Sequence, residues 1–284
     1  MKIGLTGATG HLGRFVVEAL LKKVPAGQIV VSVRQPEKAA DLKERGVEVR
    51  HGDFDSPETL PAAFAGLDRL LIVSADGDTE TRIRQHKAAV DAAKAAGVGF
   101  IAYTSAPKAD TSSLFLAEVH RFTEGVIRES GIPYSFLRNN WYLENEAGSI
   151  QAAKAGAPWV TSAGTGRVGW ALRRDYAEAA AAVLAGEGHE NTVYELGGKL
   201  LTQEELAGVV AGVLGKEIPV QQVDDSTYAE IMKGVGVPEP ALPIVVGIQQ
   251  GIREGTLEVA SGDLEKLLGR PATPLEEGIR ALLG

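Results

Sequence analysis

Short apolar runs alternate with amphipathic stretches through the first half of the chain. KIGLT (2–6), QIVVSVR (28–34), VEVRHGD (47–53), DRLLIVSA (68–75) and GFIAYTS (99–105) are rich in β-branched residues and read as strands. Helix-like sequence fills the gaps. RFVVEALLKK follows the first strand after the glycine-rich GATGHLG. TETRIRQHKAAVDAAKAAG (79–97) ends on Gly97, where a left-handed C-cap is expected. LFLAEVHRFTEGVIRES (114–130) reads as an amphipathic helix carrying His120. PYSFLRN (133–139) and NTVYELGG (191–198) predict a sixth and a seventh strand, with the helical DYAEAAAAVLAGEG (175–188) between them. Repeated strand–helix order predicts an α/β fold, a Rossmann-type doubly wound parallel sheet covered by helices on both faces.

From about residue 200 the pattern changes. Thr202 and Glu205 have capping-box spacing, and Thr273-Pro274-Leu275-Glu276 is expected to open a helix in the same way. Between them PEPALPIVVG (238–247) is apolar and punctuated by proline. We read residues 1–198 as the dinucleotide-binding domain and 199–284 as a smaller, mainly helical C-terminal lobe for the substrate. The irregular segment 140–172 contributes in part to that lobe.

Composition narrows the function. Apolar residues at 44% and charged residues at 23% are ordinary for a globular chain of 284 residues. A net charge of −8 argues against nonspecific nucleic-acid binding, which needs a basic surface. The absence of cysteine excludes disulfides, thiolate catalysis and Cys-ligated metal. The histidines, among them His11, His51, His86 and His189, show no metal-ligand spacing, so no metal is expected. MKIGLTGATG does not read as a signal peptide, and no run has the ~20 apolar residues of a membrane span, so a cytoplasmic location is expected.

The candidate cofactor site begins at Gly7, Gly10 and Gly13, spaced G-x-x-G-x-x-G between a strand and a helix, with Thr9, His11 and Leu12 among them. The tight turn, the approach of backbone to a pyrophosphate and the close helix packing each require a missing side chain. The second strand ends in Arg34, with Lys38 a turn later and no carboxylate for a ribose 2′-hydroxyl. Two cations favour a 2′-phosphate, and hence NADP, NADPH being preferred over NADH. Asp53, after the third strand, is a candidate for the adenine side or a turn cap. Ser74 and Ala75 close the fourth strand beside the ribose or pyrophosphate, and Tyr103, Thr104 and Ser105 close the fifth toward the nicotinamide.

TGATGHLG, VRQPEK, FIAYTS and YSFLRNNWY together resemble the NmrA-like atypical short-chain dehydrogenases, and the likeness runs essentially end to end. The resemblance implies two-electron reduction, by NADPH, of quinones or related electron-poor aromatics such as cationic dyes. It also brings a second reading, an NADP-binding sensor without catalysis, and it leaves room for a homodimer. Ordinary short-chain dehydrogenases carry Tyr-x-x-x-Lys on the helix after the fifth strand; here the corresponding residues are Leu116 and His120.

Loss of the tyrosine acid has a physical counterpart in the substrate. Hydride addition to a ketone leaves an alkoxide of conjugate acid ~16, whereas a quinone gives a phenolate-like anion near ~10. The gap of about 6 units corresponds to roughly 8 kcal/mol less demand for a proton. The resemblance makes His120 and Tyr103 the candidate catalytic residues, although an isolated histidine on a helix is more often structural. Phe115, Asn139, Trp141 and Tyr142 are candidate walls for the acceptor, and lobe-to-lobe packing is the competing reading for the last two.

Substituting Arg34→Glu is expected to raise the NADPH dissociation constant at least about tenfold while NADH binding changes little. Fluorescence titration with both nucleotides checks it, and equal effects would reject the assignment.

Overall fold

β1 (Ile3–Thr6) is the strand about which the sheet reverses direction. In the computed structural model, which describes residues 1–284, it lies between β2 (Ile29–Val33) and β4 (Arg69–Ile72). With β3 (Glu48–His51), β5 (Phe100–Ser105), β6 (Tyr134–Asn139) and β9 (Thr192–Leu196), the strands form one parallel seven-stranded sheet in the order β3-β2-β1-β4-β5-β6-β9. β1 and β2 are buried at every residue, which explains why their sequences are continuously apolar rather than alternating.

Two helical layers cover the sheet. α1 (His11–Leu21) and α7 (Arg173–Ala185) pack on one face, around Leu5, Val16, Val31, Tyr176 and Leu184. The other face carries α3 (Leu60–Phe64), α4 (Thr79–Ala95) and α5 (Ala117–Ser130), with Phe64, Val90, Tyr103, Ile127 and Phe136 between them. A further short helix, α2 (Ala40–Glu44), follows β2. Gly97 has φ +72°, the left-handed residue expected after α4.

The lobe is built from α6 (Ala147–Lys154), α8 (Gln203–Leu214), α9 (Asp225–Gly234), α10 (Leu242–Arg253) and α12 (Leu275–Leu283). Two small sheets brace it: β7 (Trp159–Thr161) pairs in parallel with β11 (Val220–Gln222), and β8 (Arg167–Val168) antiparallel with β10 (Leu201–Thr202). Trp159, Trp170, Leu206 and Ile279 form its own core. The short α11 (Asp263–Leu268) lies back against β9 and α7, with Leu264 in the core of the sheet. No helix is long and apolar enough to cross a membrane.

Three local expectations need correction. Thr202 and Glu205 form the complete capping box of α8, but Thr273 caps nothing. Its hydroxyl and amide both donate to Asp175, at 2.9 and 2.7 Å, and α12 starts after Pro274 without a side-chain cap. Asp175 is fully buried, and a buried carboxylate needs those donors more than a helix end beside solvent does. Second, α5 begins at Ala117, not at 114, because Arg121 takes the carbonyls of Ala109 and Ser112 and holds the preceding loop open. Third, the strands stop short. β4 ends at Ile72, where the next three amides turn to side chains: Val73 to Thr6 Oγ1 (3.0 Å), Ser74 to Thr104 Oγ1 (2.8 Å) and Ala75 to His86 Nε2 (2.9 Å).

One buried charge cluster ties the sheet edge to α5. Arg138 on β6 meets Glu124 through Nε and Nη2, at 2.9 and 2.7 Å, and Glu195 on β9 through Nη1 at 2.9 Å. Ser105 donates to the same Glu124 at 2.7 Å. Replacing Arg138 by Met leaves the nearly fully buried Glu124 with only Ser105 and the more exposed Arg128 as partners. It should cost about 3–5 kcal/mol of stability, read as a fall in the urea midpoint; a loss below ~1 kcal/mol would show that the cluster is energetically idle.

Candidate functional site

A cleft of about 630 Å³ runs along the C-terminal ends of β3, β2, β1 and β4. Ligands gather there in such sheets, because the chain leaves β1 in opposite directions and opens a crevice. Its floor is the loop from Gly7 to Gly13. Gly7 sits at φ +66°, a conformation that other residues adopt at a cost, and its carbonyl accepts from Gly10 N at 2.9 Å. A Cβ on Gly13 would lie 2.1 Å from that carbonyl, so this glycine is what lets α1 close onto the strand. α1 has no side-chain cap, and its first N–H groups face the cleft with the positive end of the helix dipole. Thr9, Gly10, His11 and Leu12 complete this wall.

Arg34 and Lys38 line the β2 end together with Gln35. Arg14 holds their turn in place by donating to the Lys38 carbonyl and to Asp41. Neither Arg34 nor Lys38 uses its own side-chain charge in an ion pair, so both are available to an anion, which fits a 2′-phosphate. Asp53 lies in the cleft but also acts as a turn cap, its Oδ1 accepting from the Asp55 amide at 3.0 Å. Ser32 Oγ is buried and without a partner in the same wall. The glycine cradle, the uncapped helix and the two free cations together fit a dinucleotide carrying an extra phosphate.

The cleft's other end is walled by Ser74, Ala75, Asp76, Tyr142 and Arg173. Arg173 stacks over the Tyr142 ring at 5.1 Å. Tyr142 OH accepts from Asn139 Nδ2 at 3.1 Å, while Asn139 Oδ1 is buried with no partner. Thr104 and Ser105 lie behind this wall: Thr104 supports the Ser74 amide, and Ser105 belongs to the Glu124 cluster. Trp141 packs into the lobe core, and Phe115 is 43% exposed and lies over Gly247 of α10.

Tyr103 and His120 do come together. Tyr103 OH is 2.9 Å from His120 Nδ1, both groups buried between β5 and α5. Their surroundings hold three residues that the sequence did not single out for this role. Arg82 Nη2 is 3.3 Å from His120 Nε2, and His86 Nδ1 is 2.9 Å from Thr123 Oγ1. Burial, reinforced by the Arg82 guanidinium, pushes both imidazoles down to about 3. Burial drives the Tyr103 phenol far above its ordinary range. Both histidines are therefore neutral at physiological pH, and neither stores a proton for transfer. Arg82, His86, Thr123 and Arg173 carry no motif; only the packing of α4 against α5, and of α7 beneath Tyr142, reveals them.

Comparison with known proteins agrees with this geometry. The model of the NmrA-like family matches residues 1–261. Quinone oxidoreductase 2 of Escherichia coli is 42% identical over 281 residues, 99% of this chain and 98% of that protein. The crystal structure of that NADPH-dependent enzyme with NADPH superposes with a TM-score of 0.95, covering 99% of this chain and 100% of the other. Triphenylmethane reductase of Citrobacter sp., solved with NADP(H), is 44% identical with a TM-score of 0.95 over 99% of this chain and 100% of its own.

The depressed imidazoles set a pH dependence. Unfolded histidines protonate near ~6.5, so between there and about 3 the unfolded chain binds up to two more protons than the folded one. Stability from this source is complete above the unfolded value and is lost as pH falls. Glu146, raised to about 6 by burial beside Trp170, opposes it over a narrower window, because the folded state keeps a proton that the unfolded state releases. The net expectation is a urea midpoint that falls on acidification below about pH 6.5. In ¹H NMR the ring C2 protons of His86 and His120 should stay fixed between about pH 5 and 8; a midpoint near ~6.5 for either would contradict their burial.

Proposed function

Because the chain belongs to the NmrA-like family and carries a glycine-floored cleft ending in two unpaired cations, we propose that it is an NADPH-dependent oxidoreductase. Its acceptors are quinones or comparably electron-poor aromatics. The observation that carries the reading is the cleft itself, in which Arg34 and Lys38 stand at the end of β2 where an NAD site has a carboxylate. The similarity to a quinone reductase and a dye reductase over nearly the whole length supports the acceptor class.

Bound in the cleft, NADPH supplies a hydride to the acceptor. The chain's own contribution is placement and charge. The amides at the start of α1 hold the pyrophosphate, and Arg34 and Lys38 hold the 2′-phosphate. Asn139 Oδ1 and Ser32 Oγ, buried without partners, offer polar contacts along the bound ligand. Leu116 provides no hydroxyl and His120 is neutral, so the chain lacks a strong acid for an alkoxide. That limits it to acceptors whose reduced oxygen is weakly basic, and positioning then supplies most of the acceleration.

Stopped-flow absorbance should show NADPH oxidised by benzoquinones and not by simple ketones. His120→Ala is expected to lower that turnover about 10–100-fold with the NADPH dissociation constant nearly unchanged. An unaltered rate would return His120 to a packing role. Tight NADPH binding with no oxidation across a panel of quinones and cationic dyes would instead identify a nucleotide sensor.

A further inference from the structure

A chain of hydrogen bonds runs behind the cleft wall, and donor and acceptor chemistry gives it one direction. The Ala75 amide donates to His86 Nε2, so the hydrogen of this neutral ring sits on Nδ1 and is donated to Thr123 Oγ1. Thr123 passes its own hydrogen to the Val119 carbonyl at 2.8 Å. Tyr103 OH lies 3.5 Å from His86 Nδ1, which has no lone pair to offer. At the far end a guanidinium, which has only donors, faces His120 Nε2. Nε2 is therefore the acceptor, and His120 carries its hydrogen on Nδ1, donated to the Tyr103 oxygen. The series ends at Arg82.

This inverts the expectation for His120. At the position of the family's lysine stands a neutral ring that offers a lone pair to a cation from another helix. Arg82 lies in the first turn of α4, and its stem packs 3.9 Å from where a Cβ on Gly77 would be, against the loop that closes the cleft after Ala75. Its guanidinium makes no ion pair, and its one side-chain hydrogen bond is the one to His120. Its Nε is shielded from solvent and has no partner. Asp78 is engaged in capping α4 through the Thr81 amide, and Arg82 forms an ion pair with neither it nor Glu80. A cation that packs against the Gly77 loop and is left without a carboxylate is available to an anion.

We propose that Arg82 is the catalytic cation of this site, stabilising the phenolate-type oxygen that forms on the acceptor, and that His120 is the positioning residue that holds it. This rests on the reductase reading above. In the step, two electrons and a hydrogen arrive as hydride from NADPH, which is oxidised to NADP⁺. One quinone oxygen becomes the phenolate beside Arg82, and one proton from solvent completes the hydroquinone. Arg82 takes over the positive charge that the absent lysine would bring, from a position 38 residues earlier in the sequence than His120.

Arg82→Met and Arg82→Lys test the assignment, with benzoquinone as acceptor and 4-nitrophenolate, under alkaline conditions, as a probe anion for the NADP⁺ complex. Arg82→Met should lower kcat about 100-fold while NADPH binds within about threefold of the wild type. Its NADP⁺ complex should lose at least about tenfold in nitrophenolate affinity but none for uncharged 4-nitroanisole. Arg82→Lys, which keeps the charge, should recover part of both. Long-range ¹H–¹⁵N spectra of the wild type should show His120 protonated on Nδ1, a signature that packing alone does not demand. The proposal is overturned by an Nε2–H tautomer, by unchanged kcat and nitrophenolate affinity in Arg82→Met, or by a loss confined to NADPH binding, which would assign the cation to the cofactor. Wild type inert toward every quinone, with nitrophenolate binding still dependent on Arg82, would remove the reductase reading and leave the anion site standing.

Discussion

The departure of β4 from the sheet after Ile72 is the constraint on which the site depends. Backbone amides leaving a buried ladder must find other acceptors or lose free energy comparable to a hydrogen bond each. Three consecutive amides, those of Val73, Ser74 and Ala75, are taken over by Thr6 from β1, Thr104 from β5 and His86 from α4. The same three bonds open the crevice, fix its wall and join that wall to the helices behind. Had β4 continued to Ala75 as a regular strand, its backbone would lie in the sheet, and the crevice beside β1 would be narrower.

Behind that wall the polar groups are arranged by desolvation as much as by attraction. Two buried imidazoles stay neutral because a buried charge is costly and a guanidinium is already present. A phenol of raised pKa beside them is a poor proton donor. Such an interior is ill suited to protonating an alkoxide, and well suited to presenting one cation to an anion that needs little help. Acceptor preference then follows from the basicity of the product oxygen rather than from the shape of a pocket alone. The Arg138–Glu124 cluster below α5 complements this by holding the helix that carries His120 against β5 and β6.

Much of this was legible in the chain. Seven apolar runs became the seven strands, and the spacing of Gly7, Gly10 and Gly13 located the floor of the cleft. Arg34 and Lys38 were found because their position at the end of β2 has a chemical meaning independent of the rest of the fold. The errors fell where a side chain had two possible partners. Thr273 has the spacing of a helix cap, yet a buried carboxylate from α7 competes for the same hydroxyl and wins. For Trp141, read as either a pocket wall or lobe packing, the structure shows it packed against the lobe core.

The sequence by itself determined the strand order's raw material, the helix faces, the glycine cradle and the positive charge at the end of β2. Each of these is written in neighbours a few residues apart, through the periods of strand and helix or the steric freedom of glycine. Only the tertiary structure decided which groups share the interior: Arg82 with His120, His86 with Ala75 and Thr123, Arg173 with Tyr142. Those pairs join separate elements, and no local pattern records them. Their chemistry arises only when packing removes water and leaves each donor a single acceptor.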